Sequence, residues 1–159
     1  MDDMAERQIY LDTSVIGGYF DDEFKTQTRS LWKLGKEGIY RFVTSIVTLE
    51  EIAGAPEQVQ QLFAKTFTEE SILRSSAEAD QLAQAYMEQE VVPAKYFDDA
   101  QHVAICTLAR ISCLASWNFK HLANLQQENA FNAVNLLHSY SQVRILSPSP
   151  LIYGHEKEI

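Results

Sequence analysis

Short apolar segments alternate with longer amphipathic segments along this chain of 159 residues. Segments rich in Ile, Val, Leu, Phe and Tyr predict strands, and apolar positions three or four residues apart predict helices. The expected strands are residues 8–12, 39–44, 70–74, 112–116 and 143–146. The expected helices are a short one around 15–20 and longer ones at 24–37, 46–53, 57–67, 76–90, 98–110, 119–127 and 130–140.

Strands that alternate with helices indicate the α/β class, here a three-layer α/β/α sandwich with a mostly parallel central sheet. The length corresponds to a single domain, which we assign to residues 1–147. Residues 148–159 contain two prolines and are predicted to form a surface tail of coil. Ligands of such folds bind at the carboxyl ends of the strands, so the side chains that follow the strands are the first functional candidates.

Acidic side chains follow the expected strands or begin the helices that lead back to them. They are Asp12, the adjacent pair Glu50 and Glu51, and the adjacent pair Asp98 and Asp99. Helix capping and solvent exposure are the structural alternatives for each acid. Grouped carboxylates repel one another unless a cation neutralises them, and Mg²⁺ prefers such oxygens. The pattern predicts a metal site, but neighbours on a helix point about 100° apart, so either member of each pair can be the ligand.

Net charge limits the kinds of nucleic-acid protein that this chain can be. There are 13 Lys and Arg against 22 Asp and Glu, a net charge of −9. Proteins that coat nucleic acid do so through a basic surface, so this class is excluded. An enzyme that meets a phosphate through a bound metal is not excluded.

The cysteines and the apolar runs indicate the compartment. Cys106 and Cys113 lie among apolar residues without a CxxC spacing, which favours buried free thiols in a reducing cytoplasm. The acidic start MDDMAERQ lacks the apolar core of a secretory signal, and no apolar run is long enough for a bilayer. We therefore expect a cytoplasmic protein without membrane association.

Three motifs, taken in order, resemble those of the PIN domain family. They are YLDTSVIGGYF at 10–20, TSIVTLEEIAGA at 44–55 and DDAQHVAICTLARISCLASWNFKHL at 98–122, and with their spacing they cover residues 8–146. The resemblance implies a PIN-like fold and an endoribonuclease that depends on Mg²⁺ or Mn²⁺ and hydrolyses RNA phosphodiester bonds. Short members are similar to VapC-type toxins, which implies a cognate antitoxin protein as partner and a homodimer.

Matched position by position, the resemblance implies catalytic and metal-binding roles for Asp12, Glu51 and Asp99. Glu51 lies six residues after Ser45, which is the usual spacing in the family motif. In the expected mechanism, water activated by the metal attacks the phosphodiester. The supporting residues would be Thr13, Glu50, Asp98, Ser116 and Asn118, and the candidates for contact with substrate phosphate, or else for simple solvent exposure, are Lys120 and His121.

Two features leave other hypotheses open. Many PIN nucleases carry a fourth acid where this chain has Asn118, so a non-catalytic PIN-like module that binds protein or RNA is the second hypothesis. A phosphoacceptor receiver domain is the third, but Lys120 lies beyond the strand end where such a domain needs its lysine. His102, one turn after Asp99, is either a buried histidine or a residue that orients a carboxylate.

Overall fold

Five parallel strands form the central sheet of the computed structural model, which describes residues 7–155. The strands are β1 (Gln8–Leu11), β2 (Arg41–Ser45), β3 (Ile72–Leu73), β4 (Cys113–Ala115) and β5 (Arg144–Leu146). They lie in the order β3-β2-β1-β4-β5, and every neighbouring pair is parallel. The first strand of the chain therefore occupies the centre of the sheet.

Eight α-helices within residues 7–155 connect and cover these strands. They are α1 (Thr13–Gly18), α2 (Lys25–Lys36), α3 (Ile46–Ile52), α4 (Glu57–Thr66), α5 (Ala77–Glu88), α6 (Phe97–Leu108), α7 (Leu125–Leu137) and α8 (Pro148–Tyr153). The core on one face of the sheet includes α5, α6 and α7, and the core on the other face includes α1, α2, α4 and α8. The predicted three-layer α/β/α sandwich with a parallel sheet is confirmed.

The central strand β1 is apolar because both of its faces are buried. Successive side chains of a strand point to opposite faces, so Tyr10 packs in one core while Ile9 and Leu11 pack in the other. Tyr10 pairs with Val43 of β2 on one side and with Leu114 of β4 on the other. Leu11, which pairs with Ala115 of β4, is the last residue of β1.

The strand order reverses next to β1, and this positions the candidate site. From β1 the chain adds β2 and β3 on one side, then crosses over to add β4 and β5 on the other. Such a reversal leaves a crevice outside the carboxyl ends of the two central strands, where ligands of open α/β sheets bind. Asp12 follows β1 at this crevice, and Ser116 follows β4.

Two predicted elements are wrong in detail after β4. The helices expected at 119–127 and 130–140 are a single helix, α7, which begins at Leu125 after a turn. The turn forms because the Asn118 side chain accepts a hydrogen bond from the backbone N–H of His121 at 3.0 Å. Asn124 then caps α7 by accepting from the N–H of Gln127 at 2.8 Å.

The prediction of coil after residue 147 is also wrong, because residues 148–153 form α8. Proline is tolerated in the first turn of a helix, where its missing N–H has no helical partner. The Ile152 side chain is buried, and the Tyr40 hydroxyl donates to the carbonyl of Leu151 at 2.7 Å. Residues 1–6 and 156–159 of the predicted domain and tail lie outside the described residues.

Both cysteines are buried free thiols, as predicted. No helix within residues 7–155 is long and apolar enough to span a membrane.

Candidate functional site

Asp12 is held at the crevice by donors from two segments. Its Oδ1 accepts from the Ser14 hydroxyl at 2.6 Å and from the N–H of Val15 at 3.2 Å, and its Oδ2 accepts from the Ser116 hydroxyl at 2.6 Å. Asp12 thus caps α1, which was the structural alternative to metal binding, and it is only 4% exposed. Burial raises the pKa of Asp12, although the charge of His102 and these donors oppose the rise.

Glu51 makes its contacts at the same crevice, although Glu50 and Glu51 are both exposed residues. Oε1 of Glu51 accepts from the Thr13 hydroxyl and pairs with Nε2 of His102 at 3.1 Å. Its side chain keeps 32% of its surface exposed, so the carboxylate reaches solvent. Burial raises the pKa of Glu51, but the hydrogen bonds from His102 and Thr13 and the His102 charge outweigh it, and the net shift is downward.

A buried hydrogen-bonded chain fixes the His102 ring beneath the acids. Nδ1 of His102 lies 2.7 Å from the Tyr10 hydroxyl, which lies 2.6 Å from the Ser45 hydroxyl. His102 is 2% exposed, and burial opposes its charged form. The hydrogen bond to Glu51 and the charges of Asp12, Glu51 and Asp99 nevertheless raise the pKa of His102. The ring is therefore both a buried histidine and a hydrogen-bond partner of Glu51.

Asp99 faces the crevice from the first turn of α6, and Asp98 is exposed. Nδ2 of Asn118 donates to Oδ2 of Asp99 at 3.3 Å. Burial raises the pKa of Asp99 to about 6. The charge of His102 opposes the rise, and the charges of Asp12, Glu51 and Asp98 add to it. Asp12 after β1 and the acids of α3 and α6 thus influence one another electrostatically.

Replacing Asp99 with asparagine is expected to stabilise the metal-free protein above pH 6. Because the folded pKa of about 6 exceeds the ordinary value of 3.8, wild-type stability falls as pH rises between these values. With solvent screening of this partly exposed group, we expect Asp99→Asn to gain about 1–2 kcal/mol at neutral pH. Denaturant unfolding with EDTA across this pH range measures the gain. Asp22→Asn, an exposed control, should follow the wild-type pH profile, and an Asp99→Asn profile parallel to it contradicts the prediction.

The carboxylates suit a divalent cation in chemistry, although within residues 7–155 no three His, Cys, Asp or Glu side chains are arranged as metal ligands. Carboxylate oxygens are the ligands that Mg²⁺ and Mn²⁺ prefer. Asp12, Glu51 and Asp99 each bond protein donors instead, and the repulsion of the neighbouring acids adds to burial in raising the pKa of Asp99, against the charge of His102. A cation would relieve this repulsion once the Asn118 and Thr13 hydrogen bonds to the acids open.

The two predicted phosphate contacts, Lys120 and His121, lie in the turn that follows Asn118. Lys120 is exposed, two residues after Asn118. The His121 ring is 8% exposed and lies 4.1 Å, centroid to centroid, from the Tyr96 ring. Its Nε2 is buried without a partner among the described residues, so contact between His121 and phosphate stays a prediction.

Two residues of this site were missed by sequence reasoning. Ser14 donates to Asp12 and accepts from the backbone N–H of Trp117 at 2.9 Å, so it joins the ends of β1 and β4. Tyr10 links Ser45 to His102 from within the strand. The one available signal was Tyr10 itself, a hydroxyl-bearing residue in a central apolar strand, which needs a buried partner.

Comparisons with known proteins add little to this geometry. No family model and no curated protein matches the chain. Among solved structures it is similar to VapC20 of Mycobacterium tuberculosis, described as a toxin that cleaves the sarcin-ricin loop. The similarity covers 86% of this chain and 98% of that one, with 17% identity and a TM-score of 0.49.

Proposed function

We propose that this protein is a metal-dependent endoribonuclease of the PIN type that hydrolyses RNA phosphodiester bonds. The observation that carries the proposal is the convergence of Asp12, Glu51 and Asp99 at the switch point of the sheet, where burial and the charges of the neighbouring acids, opposed by His102, raise the pKa of Asp99. Asp12 also caps α1, but capping does not require acids from three distant segments to meet at one crevice. Their repulsion is instead a cost, and a bound Mg²⁺ or Mn²⁺ would remove it.

In the proposed site, Asp12, Glu51 and Asp99 would hold the metal. When bound, the metal would lower the pKa of a water molecule and polarise the phosphate. Ser14 and Ser116 keep the Asp12 carboxylate in one orientation through their hydrogen bonds at 2.6 Å.

Other side chains would orient the remaining acid and the substrate. His102, fixed by Tyr10, holds Glu51 toward the crevice. The Nδ2 group of Asn118 is a donor that can turn from Asp99 to a phosphate oxygen, and Lys120 offers a positive charge nearby.

A cleavage assay tests this proposal. Single-stranded RNA labelled at its 5′ end is incubated with the purified chain and Mg²⁺ or Mn²⁺. Parallel reactions contain EDTA in place of the metal, or DNA of the same sequence in place of the RNA. We expect RNA cleavage at internal positions with metal and none with EDTA. If RNA stays intact with both metals while calorimetry shows that the metal binds, the nuclease proposal is wrong.

Replacing Asn118 with aspartate is expected to strengthen metal binding about tenfold, because the variant supplies a fourth carboxylate. Asp at this position can still accept from the N–H of His121, so the turn is preserved. Without metal, the new charge faces Asp99 and should lower the melting temperature. Mn²⁺ titration and thermal unfolding with and without metal check both effects. A metal affinity equal to wild type would place Asn118 outside the metal site.

A non-catalytic module that binds protein or RNA is the second candidate. It is supported by Asn118 in place of a fourth acid and by the hydrogen bonding of each acid to protein donors. If this candidate is right, Mn²⁺ does not bind at millimolar concentration. RNA cleavage is then absent in the wild type and in Asn118→Asp alike. A cognate antitoxin protein, a homodimer and a cytoplasmic location stay predictions that rest on the family resemblance.

A further inference from the structure

A cavity of about 620 Å³ lies at the edge of the sheet opposite the acids. It opens between α2, α4 and the start of β2, and Arg41 and Phe42 of β2 line it. Arg41 pairs with Gln8, the first residue of β1, whereas Asp12 follows the last residue of that strand. At roughly 3.3 Å per residue, the cavity and the acids are about 13 Å apart along the sheet.

Positive charge is concentrated around this cavity in an otherwise acidic chain. Four of the 13 Lys and Arg residues line it, namely Arg7, Lys36, Arg41 and Lys65, although the net charge is −9. None of them forms an ion pair with an acid among the described residues. Glu70 is the one carboxylate in the lining. The cavity therefore favours an anion.

Aromatic rings provide the inner surface of the cavity. The Trp32 ring is 5.5 Å from the Phe42 ring and 5.5 Å from the Tyr19 ring, centroid to centroid. Nε1 of Trp32 donates to the Thr66 hydroxyl at 3.0 Å, which fixes the indole. A Cβ atom at Gly35 would lie 2.4 Å from the Phe42 ring, so the missing side chain lets that ring lie directly on α2. These rings are held in place before any ligand arrives.

We propose that this cavity binds a nucleoside phosphate, either as a free nucleotide or as one unit of a single RNA strand. Stacking on an aromatic ring suits a base, and Lys and Arg side chains suit the phosphate. Glu70 is the single carboxylate of the lining, and a carboxylate can accept hydrogen bonds from ribose hydroxyl groups. The volume is that of a small-ligand site. The proposal does not depend on nuclease activity.

Calorimetric titration in EDTA, where no cleavage can occur, tests the site with the full chain. The ligands are nucleoside 5′-monophosphates, the matching nucleosides, inorganic phosphate and a short single-stranded RNA. We expect a monophosphate or the RNA to bind, and nucleoside or phosphate alone to bind about tenfold more weakly. Binding by the mononucleotide identifies a free nucleotide as ligand, and binding by RNA alone identifies a strand.

A pair of double variants distinguishes the cavity from general charge. Lys36→Gln with Lys65→Gln removes two cavity cations and should weaken binding about tenfold. Lys33→Gln with Lys95→Gln changes the net charge equally outside the cavity lining and should leave binding unchanged. Circular dichroism verifies that both variants fold.

Three results would overturn the proposal. The first is no saturable binding of nucleotide or RNA at millimolar concentration, and the second is equal weakening in both double variants. The third is phosphate binding as tightly as the nucleotide, because the rings would then contribute nothing. Since no arm requires cleavage, each of these is distinct from failure of the nuclease proposal.

Discussion

Replacing Asp12 with asparagine is expected to reduce RNA cleavage about a hundredfold or more while leaving the protein folded. The carboxylate is the most buried of the candidate metal ligands, and asparagine adds no negative charge to hold a cation. Asparagine is also a good helix cap and can accept from the N–H of Val15 as Asp12 does. This variant should therefore lose RNA cleavage without losing stability.

The stability of Asp12→Asn gives the prediction a second readout. Burial raises the pKa of Asp12, so its ionisation destabilises the folded protein as pH rises through the folded pKa. The variant should be at least as stable as wild type at neutral pH in EDTA, by denaturant unfolding. Asp22→Asn serves as the control, because the Asp22 side chain is 96% exposed. Equal cleavage by Asp12→Asn and Asp22→Asn would remove Asp12 from the site.

Replacing His102 with alanine is expected to lower the free energy of unfolding by about 2–4 kcal/mol. The ring is 2% exposed, so alanine leaves a cavity, and the Tyr10 hydroxyl and Glu51 each lose a hydrogen-bond partner. Chemical denaturation measures the loss. His138→Ala is the matched control because His138 is exposed, and it should remain near wild type.

The same variant should alter the pH dependence of stability. The folded pKa of His102 lies above its ordinary value of 6.5, so its stabilising charge is fully present below that pH. This contribution is lost as pH rises through the folded pKa. His102→Ala should lack this loss, and a destabilisation that is identical at all pH values would mean that the ring is neutral and acts by packing alone.

Local patterns predicted most of the elements because they depend on near neighbours in the chain. The apolar strand before Asp12 and the amphipathic helices around Leu31 and Leu82 appear where periodicity expects them. The wrong predictions lie where helix capping and tertiary packing determine the local structure. The turn after Asn118 interrupts a helical pattern through a side-chain hydrogen bond, and α8 forms because Ile152 finds a buried place against the rest of the fold.

The net charge of the whole chain does not describe the charge at each part of its surface. The excess of acids correctly argues against a uniformly basic surface, because 22 acids outnumber 13 bases. Folding nevertheless brings Arg7, Lys36, Arg41 and Lys65 around one cavity. These residues come from four different segments. The sequence window 25–41 contains five Lys and Arg residues, but only Lys36 and Arg41 among them line the cavity.

The sequence by itself determined the fold class and the acids that reach the sheet edge, since strand ends and helix starts are read from local periodicity and residue type. It left Glu50 against Glu51 and Asp98 against Asp99 open, because neighbours on a helix differ only in direction. In the tertiary structure His102 contacts Glu51 and Asn118 contacts Asp99 across distant segments, and these contacts favour Glu51 and Asp99 as the proposed ligands. Such contacts depend on the packing of α3 and α6 across the sheet, which no local pattern records.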